Sequence, residues 1–361
     1  MSAFNDPYGS TSFPIYQTAT FDVSVDKYDY TRSGNPNRDL LQNEIKKLYK
    51  ADYSLAFSSG MASILALTKL VKSGERIICA SNTYGGTYRL LNSLKDFGVI
   101  VEFMDIFVDE KGNTDTSHLV PLIQDEKTKL IFVESLSNPF MKFVDIPLIS
   151  QIIKQQKSNC LLAVDNSFLS SILCNPLQLG AHIVMESLTK FTNGTGDCMG
   201  GVLVTNIEDL NKQLYFYLNA YGLGLNPYNC WLIQRNIPTM RLRVEKQQEN
   251  TTQIYEFLKD KHWVKQIYYP SGLSTPQLNI FSKISSGFGS ILTFSTDIAE
   301  DIFNKTIIFQ KTVSFGSVFS KIELPYKMSH FCVSEDIIPN NLVRLSIGLE
   351  DPTLLIKDIS Q

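Results

Sequence analysis

His182-Ile183-Val184-Met185-Glu186-Ser187-Leu188-Thr189-Lys190-Phe191-Thr192-Asn193-Gly194-Thr195-Gly196-Asp197 joins a short apolar run to two hydroxyl residues, a lysine and a glycine-rich turn. The run His182–Glu186 has the near-continuous apolar character of a strand buried on both faces. Similar runs occur at Arg76–Ala80, Val99–Met104, Lys129–Glu134, Leu161–Asp165 and Gly201–Thr205. Between the runs lie Arg38–Tyr49, Met61–Val71, Tyr88–Phe97, Asp115–Gln124, Pro147–Gln156 and Asp209–Ala220. Their apolar residues recur at helical spacing, as with Leu40, Leu41, Ile45 and Leu48. Alternation of this kind over residues 38–226 predicts an α/β domain with a mostly parallel sheet, whose ligands sit at the carboxyl ends of the strands.

Beyond Asn226-Pro227 the pattern changes. A long helical segment, Met240–Lys259, is followed by strand-like runs at Val264–Tyr268, Ser290–Phe294 and Leu342–Ser346, and a closing helix begins at Pro352. Residues 227–361 therefore read as a smaller α+β domain. Residues 1–37 are loop-rich and precede the first clear helix, so they read as an arm lying against another surface, which points to an oligomer.

The 361 residues are 43% apolar and 19% charged with a formal charge of −3, a balance that leaves no field to gather nucleic acid or anionic lipid and implies a small-molecule partner. Met1–Tyr16 lacks a basic stretch followed by an apolar run, and no window approaches the length of a membrane span, so the expected location is the cytoplasm. Cys79, Cys160, Cys174, Cys198, Cys230 and Cys332 are scattered singly, which argues for reduced, buried thiols and against a disulfide framework or a metal site.

Four segments could carry chemistry. Lys190 follows a strand end between Ser187, Thr189 and the glycines, where its amine could form a Schiff base with a phosphorylated carbonyl compound while the hydroxyls bond the phosphate. Asp165 closes the run Leu161–Asp165 and emerges at the same sheet edge, a place for a carboxylate that keeps a pyridine nitrogen protonated. Phe57-Ser58-Ser59-Gly60-Met61-Ala62-Ser63 puts small residues before an amphipathic helix, whose first amides can bind phosphate oxygens. Tyr84, after the run Arg76–Ala80, could stack on a flat ring. Taken singly, the same residues also suit a solvated lysine, helix caps and a packing tyrosine. The chain has neither G-x-x-x-x-G-K-[ST] nor a G-x-G-x-x-G after a strand, which disfavours nucleotide triphosphates and dinucleotides.

In order and together, these segments resemble the transsulfuration (cystathionine γ-synthase and cystathionine lyase) family of cysteine and methionine metabolism, from Phe13-Pro14-Ile15-Tyr16-Gln17-Thr18 to Leu342-Val343-Arg344-Leu345-Ser346-Ile347-Gly348-Leu349-Glu350-Asp351. The resemblance implies an aminotransferase-like fold and pyridoxal 5′-phosphate on Lys190, which then shuttles protons. It implies that Gly60, Met61, Ser187 and Thr189 hold the phosphate, that Tyr84 stacks on the ring and helps free the lysine, and that Asp165 pairs with the ring nitrogen. Tyr30 and Arg32, in Tyr30-Thr31-Arg32-Ser33-Gly34-Asn35-Pro36, match a motif that reaches the phosphate in a neighbouring subunit. A dimer of site-sharing subunits, paired into a tetramer, follows from that sharing. Arg344 resembles the arginine that clamps the substrate carboxylate, with Asn138 and Ser314 as helpers.

The chain departs from the family pattern at Glu186, where His is usual, at Gly194-Thr195-Gly196-Asp197, and at Ser314-Phe315-Gly316-Ser317-Val318-Phe319-Ser320. These changes bear on substrate preference. Val313 is apolar where many γ-acting members carry Glu, whereas Asp29 sits where some members face the distal amino group of cystathionine. Gly86 replaces the cysteine of methionine γ-lyases. The leading expectation is a carbon–sulfur lyase acting on cystathionine or a related sulfur amino acid. A γ-replacement transferase using an O-acyl-homoserine is the alternative, and a weakly active cofactor-binding relative is the reading from another class.

Overall fold

Seven strands form the larger sheet: β1 (Tyr53–Phe57), β2 (Arg76–Ala80), β3 (Ile100–Met104), β4 (Thr128–Glu134), β5 (Leu161–Asp165), β6 (Ile183–Glu186) and β7 (Gly201–Thr205). Their order is β1-β7-β6-β5-β4-β2-β3, and β7 alone runs against its neighbours. The computed structural model describes residues 9–24, 27–329 and 338–360, so Cys332 lies outside the described residues. Successive side chains of a strand point to opposite faces, and the cores sort accordingly. Ile78, Ile131, Val133, Leu162 and Val164 pack on one face; Ile77, Cys79, Leu130, Phe132 and Ala163 pack on the other.

Helices α1 (Pro36–Tyr49), α2 (Gly60–Thr68), α3 (Gly85–Leu94), α4 (Leu119–Gln124), α5 (Ile146–Gln155), α6 (Ser170–Leu173) and α7 (Glu208–Ala220) intersperse these strands. Local chemistry explains several of their starts. The Asn35 side chain accepts from Asn37 N with Pro36 at the first helical position, and Ser59 caps α2 by accepting from Ala62 N. Next come α8 (Pro227–Asn236), α9 (Met240–Lys259), α10 (Thr275–Ile284), α11 (Ala299–Lys305) and α12 (Pro352–Ile359). The second sheet contains β8 (Gln266–Tyr268), β9 (Ile291–Ser295), β10 (Gln310–Lys311), β11 (Lys321–Glu323) and β12 (Leu342–Ser346), in the order β10-β11-β12-β9-β8. Ile254, Leu258, Leu292, Phe294, Val343 and Leu345 form its core.

The helix Met240–Lys259 and four strands coincide with the expected runs, whereas β1, α8, α10, α11 and the short β10 and β11 carry no expectation from sequence. Cys230 and Ile233 of α8 pack with Leu41 and Ile45 of α1, on the large-sheet side of the expected change at residue 227. Among the described residues no helix is long and apolar enough to cross a membrane.

The described part of the N-terminal segment is loop, tied down at its base. Tyr16 N donates to Asn37 Oδ1 at 2.8 Å, Asn37 Nδ2 donates to Pro14 O at 2.8 Å, and Trp231 Nε1 donates to Phe13 O at 2.9 Å. Asn37 is buried, so its loss leaves polar partners unpaired. Asn37→Ala should cost about 1–3 kcal/mol in denaturant unfolding. It should also expose the arm to limited proteolysis N-terminal to α1, with the rest of the chain resistant.

Candidate active site

Lys190 stands on the turn after β6. Its Nζ donates to Ser314 Oγ at 2.5 Å and lies 4.6 Å from the Phe315 ring centroid. Burial, then the nearby Arg344 and Lys321 charges, push the ammonium down to about 8, against the opposing pull of Glu323 and Asp165. A larger share of neutral amine, and so of nucleophile, is therefore present near neutral pH than an ordinary lysine offers.

Two carboxylates share the same edge. Asp165 ends β5 and Glu134 ends β4, and the two are paired in the parallel register. Burial raises both, and the Asp165 charge further raises Glu134, which reaches about 8. Glu134 Oε1 accepts from Thr83 Oγ1 at 2.9 Å and from Tyr84 N at 2.6 Å, so it fixes the start of α3. Asp165 Oδ1 accepts from Ser167 N at 2.9 Å. Glu134 had no role in the sequence reading, although it ends its strand just as Asp165 does.

Arg344, on β12, is buried and paired with Glu323 of β11 at 2.6 Å. Its Nη1 donates to Asn138 Oδ1 at 3.2 Å and its Nη2 to Ser314 O at 2.8 Å, while Nε has no hydrogen-bond acceptor among the described residues. Ser314 thus touches both Lys190 and Arg344. It does so at φ +81°, a left-handed conformation costly for a residue with a Cβ. Gly316, at φ +79°, lies against the Lys190 backbone: a Cβ there would stand 2.8 Å from Phe191 N and 3.0 Å from Lys190 C.

The other expected residues divide into two groups. Gly60 and Met61 open α2, where the first amides have no intrahelical acceptor. A Cβ on Gly60 would be 3.3 Å from Ser187 Oγ, so helix start and hydroxyl converge. Thr189 lies on the same turn, yet its hydroxyl is bonded to Gly200 O and Gly200 N at 3.3 and 3.1 Å. The Tyr84 ring lies over Gly86, where an added Cβ would meet it at 2.5 Å. Tyr30 and Arg32 form the second group: Arg32 Nη1 donates to Asn219 of α7, and its guanidinium sits over the Tyr30 ring. Asp29 is exposed and accepts from Tyr30 N at 2.6 Å. These three make no hydrogen bond or ion pair to Lys190 within the chain.

Glu186, at the end of β6, is buried behind the site and accepts from the hydroxyls of Tyr49 and Thr192. Burial pushes it up to about 7 against those two bonds. Tyr49 Oη also accepts from Asn166 Nδ2 at 3.1 Å. A continuous chain of bonds therefore links the turn after Asp165 to the turn after Lys190. From the opposite side Arg243 of α9 donates to Phe191 O at 2.9 Å and to Thr192 O at 3.4 Å.

A model of the family described as "Cys/Met metabolism PLP-dependent enzyme" matches residues 2–361. The chain belongs to that family. The chain is thus an enzyme that uses pyridoxal phosphate. It is 41% identical over 367 residues to the chloroplastic cystathionine β-lyase of Arabidopsis thaliana, covering 98% of this chain and 77% of the relative. With the cystathionine γ-lyase of Dictyostelium discoideum the identity is 35%, over 98% and 92% of the two chains. The crystal structure of cystathionine γ-lyase from Lactobacillus plantarum complexed with L-serine superposes with a TM-score of 0.91 at 31% identity, covering 98% of this chain and 93% of that one. The residues present suit the family's cofactor: a part-buried lysine of lowered basicity, a buried carboxylate near it, and helix amides meeting a serine hydroxyl.

Two outcomes follow. The rate at which the cofactor-free protein captures pyridoxal phosphate should rise as pH increases through about 8, followed by absorbance in a stopped-flow instrument. Gly316→Ala should displace the Lys190 turn, so that the folded variant, judged by circular dichroism, loses cofactor on dialysis faster than the wild type.

Proposed function

We propose that this enzyme is a carbon–sulfur lyase acting on cystathionine or a related sulfur amino acid. The observation that carries the proposal is the convergence on Ser314 of Lys190 Nζ and Arg344 Nη2, a proton carrier and a carboxylate binder joined through one residue. The similarity to a named cystathionine β-lyase at 41% identity supports cleavage on the Cβ side.

In this reading Gly60, Met61, Ser187 and Thr189 would hold the cofactor phosphate, Asp165 the ring nitrogen, and Tyr84 the ring face. When bound, pyridoxal phosphate supplies an electron sink for the substrate Cα. Arg344, with Asn138 beside it, binds the substrate carboxylate and turns the Cα–H bond toward Lys190. The Lys190 amine takes the proton at Cα and returns one to the departing sulfur. Glu134 keeps Tyr84 at the start of α3. The exposed Val313 adds an apolar surface beside Ser314, where a methylene and thioether can lie.

The same proposal gives Tyr30 and Arg32 to a partner subunit's phosphate site and Asp29 to the mouth of that site, with dimers pairing into a tetramer. It divides the chain into an arm to residue 37, a cofactor-bearing unit to residue 226 and a second unit from residue 227. A cytoplasmic location goes with it, supported by five free, buried cysteines among the described residues.

The test is mass spectrometry of products from cystathionine and purified holoenzyme. Homocysteine, pyruvate and ammonia are expected, and Lys190→Ala should lower turnover by roughly 10²–10⁴-fold. Release of neither thiol nor oxo acid defeats the proposal. Thioether synthesis from an O-acyl-homoserine and cysteine, with cystathionine left intact, would replace it by γ-replacement.

A further inference from the structure

The second sheet turns one polar face toward Lys190. In the antiparallel register Lys321 lies opposite Ser346 and Glu323 opposite Arg344, and Arg344 in turn lies opposite Thr293 of β9. Side-chain alternation therefore puts Lys321, Glu323, Arg344, Ser346 and Thr293 on one face, while Ile322, Val343 and Leu345 enter the apolar core on the other. The polar face meets the segment that packs on the lysine turn: Arg344 donates to Ser314 O, and Gly316 N donates to Ser346 Oγ at 3.1 Å. Lys321 Nζ stands 3.9 Å from the position a Cβ would take on Gly196, over the turn that follows Lys190.

The charges on this face do not balance. Arg344 is already neutralised by Glu323 in a buried ion pair. Asp165 lies close enough to Lys190 for their charges to interact. Lys321 is half-buried, is lowered by burial and by the Arg344 charge, and has no ion-pair partner among the described residues. An ammonium held beside a guanidinium without a carboxylate of its own is stabilised when an anion arrives. Since Arg344 and Asn138 are set to receive the α-carboxylate, the anion left for Lys321 is a second one on the same ligand.

We propose that Lys321 binds the carboxylate at the far end of the substrate, so that the site selects amino acids carrying two carboxylates over those carrying one. This rests on the lyase reading above. A thioether such as cystathionine has such a group, whereas S-methylcysteine does not.

The experiment compares wild type, Lys321→Gln and Lys321→Arg as holoenzymes. With cystathionine, K321Q should raise KM about tenfold more than it does with S-methylcysteine, and K321R, which keeps the charge, should restore most of the loss. With S-methylcysteine, wild type and K321R should share one KM. Calorimetry on the same proteins adds a readout that needs no turnover: suberate, a dicarboxylate of matching chain length, should bind wild type about tenfold tighter than K321Q. Octanoate should not distinguish the two. Equal KM increases for both substrates, or no difference in suberate binding, would overturn the assignment. If wild type cleaves no thioether, the lyase proposal fails by itself, and the suberate comparison still decides the role of Lys321.

Discussion

The arrangement depends on the parallel pairing of β4, β5 and β6. Its register places Glu134 beside Asp165 and Asp165 beside Met185, so that three strand ends deliver two carboxylates and, one turn later, a lysine to the same edge. Buried strands in an α/β sheet have water on neither face, so groups at their ends are desolvated by the fold itself. That burial raises Glu134 and Asp165 and lowers Lys190. The opposite shifts thus share their leading cause.

Such a cluster is costly to assemble, and the surroundings restrain it from three directions. Behind the edge, Asn166, Tyr49, Glu186 and Thr192 form a bonded path between the turns that follow Asp165 and Lys190. Arg243, lowered to about 10 by burial, meets backbone carbonyls rather than a carboxylate, so it clamps the Lys190 turn without adding a counter-charge. From the second sheet, the segment 314–318 lies on that turn, where Val318 N donates to Gly194 O at 2.7 Å, and is tied to α9 by Gln247 Nε2 donating to Ser317 O at 2.6 Å. The left-handed Ser314 is held within this segment, where backbone strain is compensated by bonds to both Lys190 and Arg344.

Much of this was legible in the sequence because it is local. The strands ending in Asp165 and preceding Lys190 are short apolar runs, and their carboxyl ends follow from counting. The helix Met240–Lys259 is long enough for its periodicity to show. β1 was not legible: Tyr53–Phe57 is five residues with a serine inside, and its partner, β7, is almost 150 positions away (Ala56 opposite Val202). The pairing of Glu323 with Arg344 was hidden for a related reason. Lys321-Ile322-Glu323 is too short to show a period, and only the antiparallel register makes its alternation meaningful. Glu186 was visible as a departure from the family pattern, but its hydroxyl partners come from α1 and from the turn after Lys190. Tyr30 and Arg32 show a further limit. Within one chain Arg32 bonds Asn219 of α7 with its guanidinium over the Tyr30 ring, and only the family resemblance, not the local sequence, links their motif to a neighbouring subunit.

The Glu323–Arg344 pair has a consequence for how this site handles anions. A bare buried guanidinium would carry a heavy desolvation cost and would swing toward any acceptor. Paired at 2.6 Å and braced by Asn138 and Ser314 O, it is fixed in plane before a ligand arrives. The same pairing offsets most of the net charge it could offer, so in the proposed role Arg344 would act through directed N–H groups, its buried Nε having no acceptor among the described residues. Net attraction for an anion must then come from a neighbour on the same face, and Lys321 is the cation that the register of β11 puts there. In the proposed division Arg344 orients one carboxylate and Lys321, two positions along on the adjacent strand, supplies charge for the other.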